Sequence, residues 1–446
     1  MIKRLVIGTI AAVAVGGAAF ASYLTFGPGP TDFAPGKRVA VEQYRGEDPT
    51  GVPDEMKTAS ILARGEYLTR AADCVVCHTA PNGTPFTGGR AFVLPFGTLY
   101  STNITPEVQT GIGAYSDRQF LDAVHRGIRR DGAALYPAMP YPSYTYMSDA
   151  DALAIKAYLF SLPPQHAPAP KNTLLFPFSQ RPLMRVWAAM FNSNRRFEPN
   201  VDQSPAWNRG AYLVEAMEHC AECHTPRNLA FALNQREKFA GAVQAGWRAY
   251  NISSDTTSGV GAWSEQELHD YLATGHATGH GTAAGPMGEA IDESLSHLTA
   301  GDISAMVTYL RTTPVVSTRD LGTIRSTPAS VHYNEGIPTS LASRGMQIYA
   351  GACVGCHDWT GISPGLPFAT LTGSRAVNDP TGTNVVQIVL GGGHRMSGEQ
   401  DISMPSFAEG YSDAEIASVA NYVIIRFGAQ SAQLTATAVE KLRNQN

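Results

Sequence analysis

The chain has 446 residues, a formal net charge of -5 and 16% charged residues. That length suits several compact domains, and the charge balance supplies no basic field for DNA or RNA. Nucleic-acid binding is therefore set aside.

At the N-terminus Met1-Ile2-Lys3-Arg4 runs into an uncharged apolar stretch from Leu5 to Phe26, long enough to cross a bilayer as a helix. Ala19-Phe20-Ala21 resembles a small-residue cleavage site, which would make residues 1–26 a signal peptide. The length of the run and its continuation through Tyr23-Leu24 favour a retained membrane anchor instead. Both readings export the remainder and leave Lys3 and Arg4 in the cytoplasm. Residues 27–57 read as a linker.

Residues 58–163 begin with a short predicted helix carrying an aromatic, Ala63-Arg64-Gly65-Glu66-Tyr67-Leu68, and reach Cys74-Val75-Val76-Cys77-His78. Asn103-Ile104 and Gly111-Ile112-Gly113-Ala114-Tyr115-Ser116 follow, and Ser116 opens an amphipathic run from Asp117 to Ile128 as an N-cap. Tyr136-Pro137-Ala138-Met139-Pro140-Tyr141-Pro142 predicts a stiff loop around Met139, and a helix from Ser148-Asp149 to Leu162 closes the stretch. Residues 164–204 are a proline-rich connector. Its apolar piece, Leu183 to Phe191, reads as a helix tucked over the flanking domains in preference to one lying on a membrane or a partner subunit.

Residues 205–312 repeat the plan. Arg209-Gly210-Ala211-Tyr212-Leu213 precedes Cys220-Ala221-Glu222-Cys223-His224; Asn251-Ile252 and Gly259-Val260-Gly261-Ala262-Trp263-Ser264 follow, then helices at Glu265 to Thr274 and Thr299 to Leu310. Asn and the first Gly are eight apart in both copies, which marks a duplication. After a second connector, 313–338, residues 339–430 carry Arg344-Gly345-Met346-Gln347-Ile348-Tyr349, Cys353-Val354-Gly355-Cys356-His357 and a last helix from Ser412-Asp413 to Phe427, ahead of a tail at 431–446. The bland reading of Tyr67, Tyr212, Tyr158, Tyr309 and Tyr422 is core packing where helices cross.

All six cysteines fall in three Cys-x-x-Cys-His motifs. This is the c-type haem attachment pattern: both thiols form thioethers to the porphyrin and the adjacent imidazole ligates iron. Three units more than a hundred residues apart do not close tetrahedral zinc sites, a thioredoxin-type pair needs no following histidine, and a disulfide framework would not set its cysteines two residues apart. Three covalent haems are expected, on Cys74 and Cys77, Cys220 and Cys223, and Cys353 and Cys356. The proximal ligands are His78, His224 and His357.

An iron with only histidine on one face stays open; a methionine on the other seals it as an electron carrier of raised potential. Met139 follows His78 by 61 residues, Met287 follows His224 by 63, and Met404 follows His357 by 47, each in a Pro-containing loop just before a final helix. These are the distal candidates. Met396 is the fallback in the third unit, and His276 and His280 are a bis-histidine option in the second. Met147, Met306 and Met346 read as packing; His125, His166 and His332 read as solvated or structural. The glycines at 391–393 read as a helix C-cap, and no catalytic triad, phosphate loop or dinucleotide fingerprint appears. The fold class is mainly α: three tandem cytochrome c domains joined by Pro-rich connectors, with an N-terminal hydrophobic helix.

Residues 60–430 resemble the three-haem cytochrome c subunit of membrane-bound alcohol and aldehyde dehydrogenase complexes, with relatives serving gluconate, sorbitol and fructose dehydrogenases. The resemblance is carried by Tyr100-Ser101-Thr102-Asn103-Ile104-Thr105-Pro106, by Leu135 to Ser143 around Met139, and by His219-Cys220-Ala221-Glu222-Cys223-His224-Thr225-Pro226-Arg227. It implies a large catalytic dehydrogenase subunit as partner, with room for a small subunit. Electrons would then pass through the haems to membrane ubiquinone at the periplasmic face of a bacterial inner membrane. It also implies the haem ligand set derived above. The uncleaved look of the N-terminus departs from relatives with a plain signal peptide and leans toward an aldehyde-type complex. A self-contained peroxidase-like enzyme with one open haem, or a soluble multihaem shuttle, are the competing functions.

Overall fold

The computed structural model describes residues 14–20, 22, 28–318, 324–329, 339–397, 400–428 and 432–445. Most of segment 1–26 lies outside these residues, as do His332 and the side chain of Met396; residues 14–20 are helical. Among the described residues no helix is long and apolar enough to cross a membrane.

Three stretches of chain build the same helix pair. Entry helices Ile61–Ala71, Pro205–Tyr212 and Thr339–Ala352 cross closing helices Asp149–Ser161, Ala300–Leu310 and Asp413–Phe427. A glycine sits at each crossing. A methyl group on Gly65, Gly210 or Gly345 would land on the carbonyl oxygen of Ala154, Ala305 or Ser418, beside Tyr158, Tyr309 or Tyr422 respectively. Only hydrogen lets the two backbones approach so closely.

Local chemistry sets the helix limits. The Ser148 hydroxyl accepts from Asp151 N at 3.0 Å and Thr299 from Asp302 N at 3.2 Å. Ser116 with Gln119, Ser264 with Glu267 and Ser412 with Glu415 form reciprocal capping boxes. Between entry and closing helices runs a middle helix, Asp117–Arg126, Glu265–Thr274 or Thr383–Gly391, ended by Gly127, Gly275 or Gly392 at positive φ (63°, 75° and 71°). Among the described residues four two-stranded antiparallel ladders accompany the helices, the longest pairing Gly393–Ser397 with Gln400–Met404.

The first and second stretches share one hydrophobic core, whereas the third has its own. Reciprocal bonds lock the first two together. Tyr67 OH donates to Asp302 Oδ2 at 2.6 Å and Tyr212 OH donates to Asp151 Oδ2 at 2.5 Å. Tyr67 and Tyr212 are buried, as core packing requires, but their hydroxyls also hold the opposite stretch. Two residues after its crossing glycine the third stretch has Gln347 in place of tyrosine, and Glu415 pairs instead with its own Arg344.

Residues 28–57 are strapped onto this double unit. Phe33 packs against Trp207 and Tyr309, Arg209 donates to the Pro49 and Gly51 carbonyls, and Gly51 N donates to Asp151 at 2.8 Å. In the connector, helix Pro182–Phe191 buries Trp187 against Tyr141 and Ala232, with Trp187 Nε1 donating to Ala230 O at 2.8 Å. It thus bridges the first two stretches, as the tucked-helix reading expects. Leu183 and Val186 on this helix remain exposed, as do Leu175 and Phe176.

Candidate haem sites

Each Cys-x-x-Cys-His motif sits on one tight helical turn, Cys74–Cys77, Ala221–His224 or Val354–His357, close after an entry helix, which in the second stretch is extended by the π-helical segment Leu213–Met217. Asp73 and His219, the residues just before the first two motifs, have left-handed backbones (φ 49° and 40°), which swing the chain out of the entry helix into that turn. The cysteines are free rather than disulfide-bonded.

The three histidines make the same contact. His78 Nδ1 lies 2.6 Å from Thr102 O, His224 Nδ1 2.6 Å from Tyr250 O, and His357 Nδ1 2.6 Å from Ala369 O. A carbonyl can only accept, so Nδ1 carries the proton and Nε2 carries the lone pair that an iron needs. Burial pulls all three imidazoles below their ordinary pKa, against the opposing pull of the Nδ1 bond, and keeps them neutral.

Burial also pushes the thiols upward: Cys77 to about 12, Cys223 and Cys353 to about 11, and Cys74 and Cys220 higher still. Thiols that hold their protons are poor nucleophiles of the thioredoxin kind. Among the described residues no three His, Cys, Asp or Glu side chains gather as a metal site. A porphyrin held by thioethers and one imidazole is what this donor set fits.

In the first stretch Cys74, Cys77, His78 and Met139 line one cavity of about 670 Å³, within the size range of cofactor pockets. Met147, expected to be packing, also lines it, together with Arg129, Arg130, Lys171 and Arg181. These four cations are residues that sequence reasoning missed; Arg129-Arg130 before a Met loop was the available signal. Asn103 and Asn251, the repeat markers, brace the sites. Each donates from Nδ2 across to the chain beyond its closing helix, to Gln165 O at 2.7 Å and to Val316 O at 2.6 Å, while accepting from the backbone two residues on.

The three methionines share one frame: each stands twelve residues after the glycine that caps the middle helix, Gly127, Gly275 or Gly392. Their local structures differ from the expected common loop. Met139 is in a loop, Met287 is in the first turn of helix Gly285–Glu293, and Met404 ends a strand. Pro286 at the start of that helix explains the second case, because proline fits a first helical turn. Ladder bonds to Gly393 hold the third. His280 is stacked on Trp263 at 3.7 Å between ring centres, and His276 Nδ1 meets Thr282 Oγ1 at 2.9 Å, so both imidazoles of the bis-histidine option have other partners. His125 is fully buried and structural, while His166 is exposed.

Tyr144 joins the first and second sites. Its hydroxyl donates to Ala72 O and its ring meets His219 edge-on at 5.4 Å.

Comparison with known proteins agrees with this chemistry. The cytochrome c family model matches residues 342–424. The chain is 39% identical over 402 residues to the fructose dehydrogenase cytochrome subunit of Gluconobacter japonicus, covering 86% of this chain and 82% of that protein. It is 35% identical over 412 residues to the gluconate 2-dehydrogenase cytochrome c subunit of Pantoea cypripedii, covering 87% and 91%. To the cytochrome c subunit of the quinone alcohol dehydrogenase of Gluconobacter oxydans it is 34% identical over 406 residues, covering 86% and 82%. The chain belongs to the family of haem-binding, electron-transferring cytochrome c subunits of dehydrogenase complexes.

Proposed function

We propose that this chain is a relay of three cytochrome c units, 58–163, 205–312 and 339–430, each holding one covalent haem. The cysteine pairs anchor the porphyrins, His78, His224 and His357 ligate from one side, and Met139, Met287 and Met404 close the other. Each bound haem supplies reversible storage of one electron. The protein contributes neutral imidazoles fixed by backbone carbonyls and a thioether donor that favours the reduced state. A closed coordination shell moves charge and leaves no position for substrate, which argues for transfer over a peroxidase-like activity.

Electrons enter from a partner dehydrogenase oxidising an alcohol, aldehyde or sugar, and leave to ubiquinone. The names of the relatives support the partner class, and the word quinone in one of them supports the acceptor. The apolar segment 1–26 and the exposed Leu175, Phe176, Leu183 and Val186 support attachment at the periplasmic face of an inner membrane. The bridge through Tyr144 supports direct exchange between the first and second haems.

The observation that carries the reading is the threefold 2.6 Å contact from Nδ1 to a carbonyl directly after a cysteine pair. The test is intact mass after haem maturation, followed by spectroscopic reduction in the purified complex with a panel of alcohols, aldehydes and sugars. Three covalent haems reduced by one substrate class, then reoxidised by a ubiquinone analogue, are expected. Fewer than three haems, or a sample that stays oxidised with every substrate, would overturn it.

A further inference from the structure

Two arginines of the third stretch reach into the second. Arg395 finds a counter-charge there: its Nη2 lies 2.8 Å from Asp292 Oδ1. Arg375 does not. It is 8% exposed, donates from Nη1 to Asn251 O at 2.9 Å and from Nη2 to Gly259 O, and holds its guanidinium 5.2 Å from the ring centre of Trp263. Its Nε has no partner, and among the described residues no carboxylate pairs with it. A buried guanidinium without an opposing charge is costly, and two carbonyl dipoles only partly offset that cost.

The surface it occupies is informative. Asn251, Gly259 and Trp263 are the counterparts of Asn103, Gly111 and Tyr115, all of which line the first cavity. That cavity has cations from its own Met loop, Arg129 and Arg130. Counted from the capping glycines Gly127 and Gly275, the same two places in the second stretch are Ala277 and Thr278. The second stretch lacks the loop cations, and the third delivers one.

We infer that Arg375 pairs with the propionate groups of the haem bound at His224, so that the second site is completed by a side chain of the third unit. This rests on the reading that a haem occupies the second site. Arg375 is a positioning residue: it neutralises the propionates and biases that iron toward its reduced state. It also makes docking of the third unit a condition for a correctly tuned second haem.

The test uses the full haem-loaded chain and spectroelectrochemical titration, with resonance Raman detection of the propionate bending band. Arg375→Gln should lower one of three midpoint potentials and shift one propionate band, and Arg375→Lys should restore most of both. Arg395→Gln cuts a similar bridge between the same two stretches and should leave that potential in place. Unchanged potentials and Raman bands in Arg375→Gln, or an equal drop in Arg395→Gln, would overturn the inference. If Arg375→Gln loads only two haems, recovery of the third in Arg375→Lys supports it and failure to recover overturns it. Peptide mass separates this from the reading beneath: a wild-type chain without haem on Cys220 and Cys223 overturns both, whereas a loaded but unresponsive haem overturns the Arg375 role alone.

Discussion

The Tyr212 hydroxyl lies 2.5 Å from Asp151 Oδ2, and its counterpart Tyr67 lies 2.6 Å from Asp302 Oδ2, so each of the first two units lends a phenol to the first turn of the other's closing helix. The same hydroxyls accept from the cap backbone, Ser148 N at 3.1 Å and Thr299 N at 3.2 Å. Burial raises the Asp151 pKa, and the Tyr212 bond works against that rise. Removing the phenol oxygen leaves a buried carboxylate short of a donor. Tyr212→Phe or Tyr67→Phe should therefore cost about 1–3 kcal/mol in chemical denaturation of the first two units while leaving the third unaffected. A variant as stable as wild type would count against the lock.

Removing a distal sulfur should open one iron. Met139→Ala, Met287→Ala and Met404→Ala are each expected to retain three covalent haems, lower one midpoint potential and bind carbon monoxide at one reduced haem. Carbon monoxide difference spectra provide the check. Binding by the unmodified chain at one haem would instead favour the enzyme reading.

The crossing glycines admit a simple steric test. Gly345→Ala puts a methyl group on the Ser418 carbonyl and against Tyr422, so the helices must separate. The expected loss is about 1–3 kcal/mol, read from the unfolding of the third unit. Gly355→Ala, on the haem turn with nothing within 4 Å of the added carbon, should cost far less.

His125 provides a pH signature. Its burial, with Arg196 adding to the effect and Asp149 opposing it at 3.6 Å, lowers its pKa from 6.5 to about 4. The unfolded chain therefore binds a proton more readily than the folded one. Its contribution to stability is complete above pH ~6.5 and declines as pH falls toward 4, by up to about 3 kcal/mol. Urea midpoints followed across that window should flatten in His125→Phe; an unchanged slope would show that another group governs it.

Much of the site was legible because its signals are local. A cysteine pair and a histidine within five residues fall on one helical turn, a serine three residues before Gln119 or Glu267 defines a cap, and the helix limits at Asp149, Ala300 and Asp413 followed from such caps. The local structures around Met287 and Met404 were not legible in the same way. Pro286 can open a helix or stiffen a loop, and the ladder that holds Met404 depends on Gly393 across a hairpin.

By itself the sequence determined the three Cys-x-x-Cys-His turns, the repeat and the helix periodicity, since each depends on residues a few positions apart. Only the tertiary structure decided that the first two stretches share a core and that Arg375 of the third reaches Asn251 of the second. Tyr212 with Asp151 and Arg375 with Asn251 join residues 61 and 124 positions apart, and no short-range pattern encodes such pairs. Their energy exists only once burial has removed water from both partners, which is a property of the packed chain.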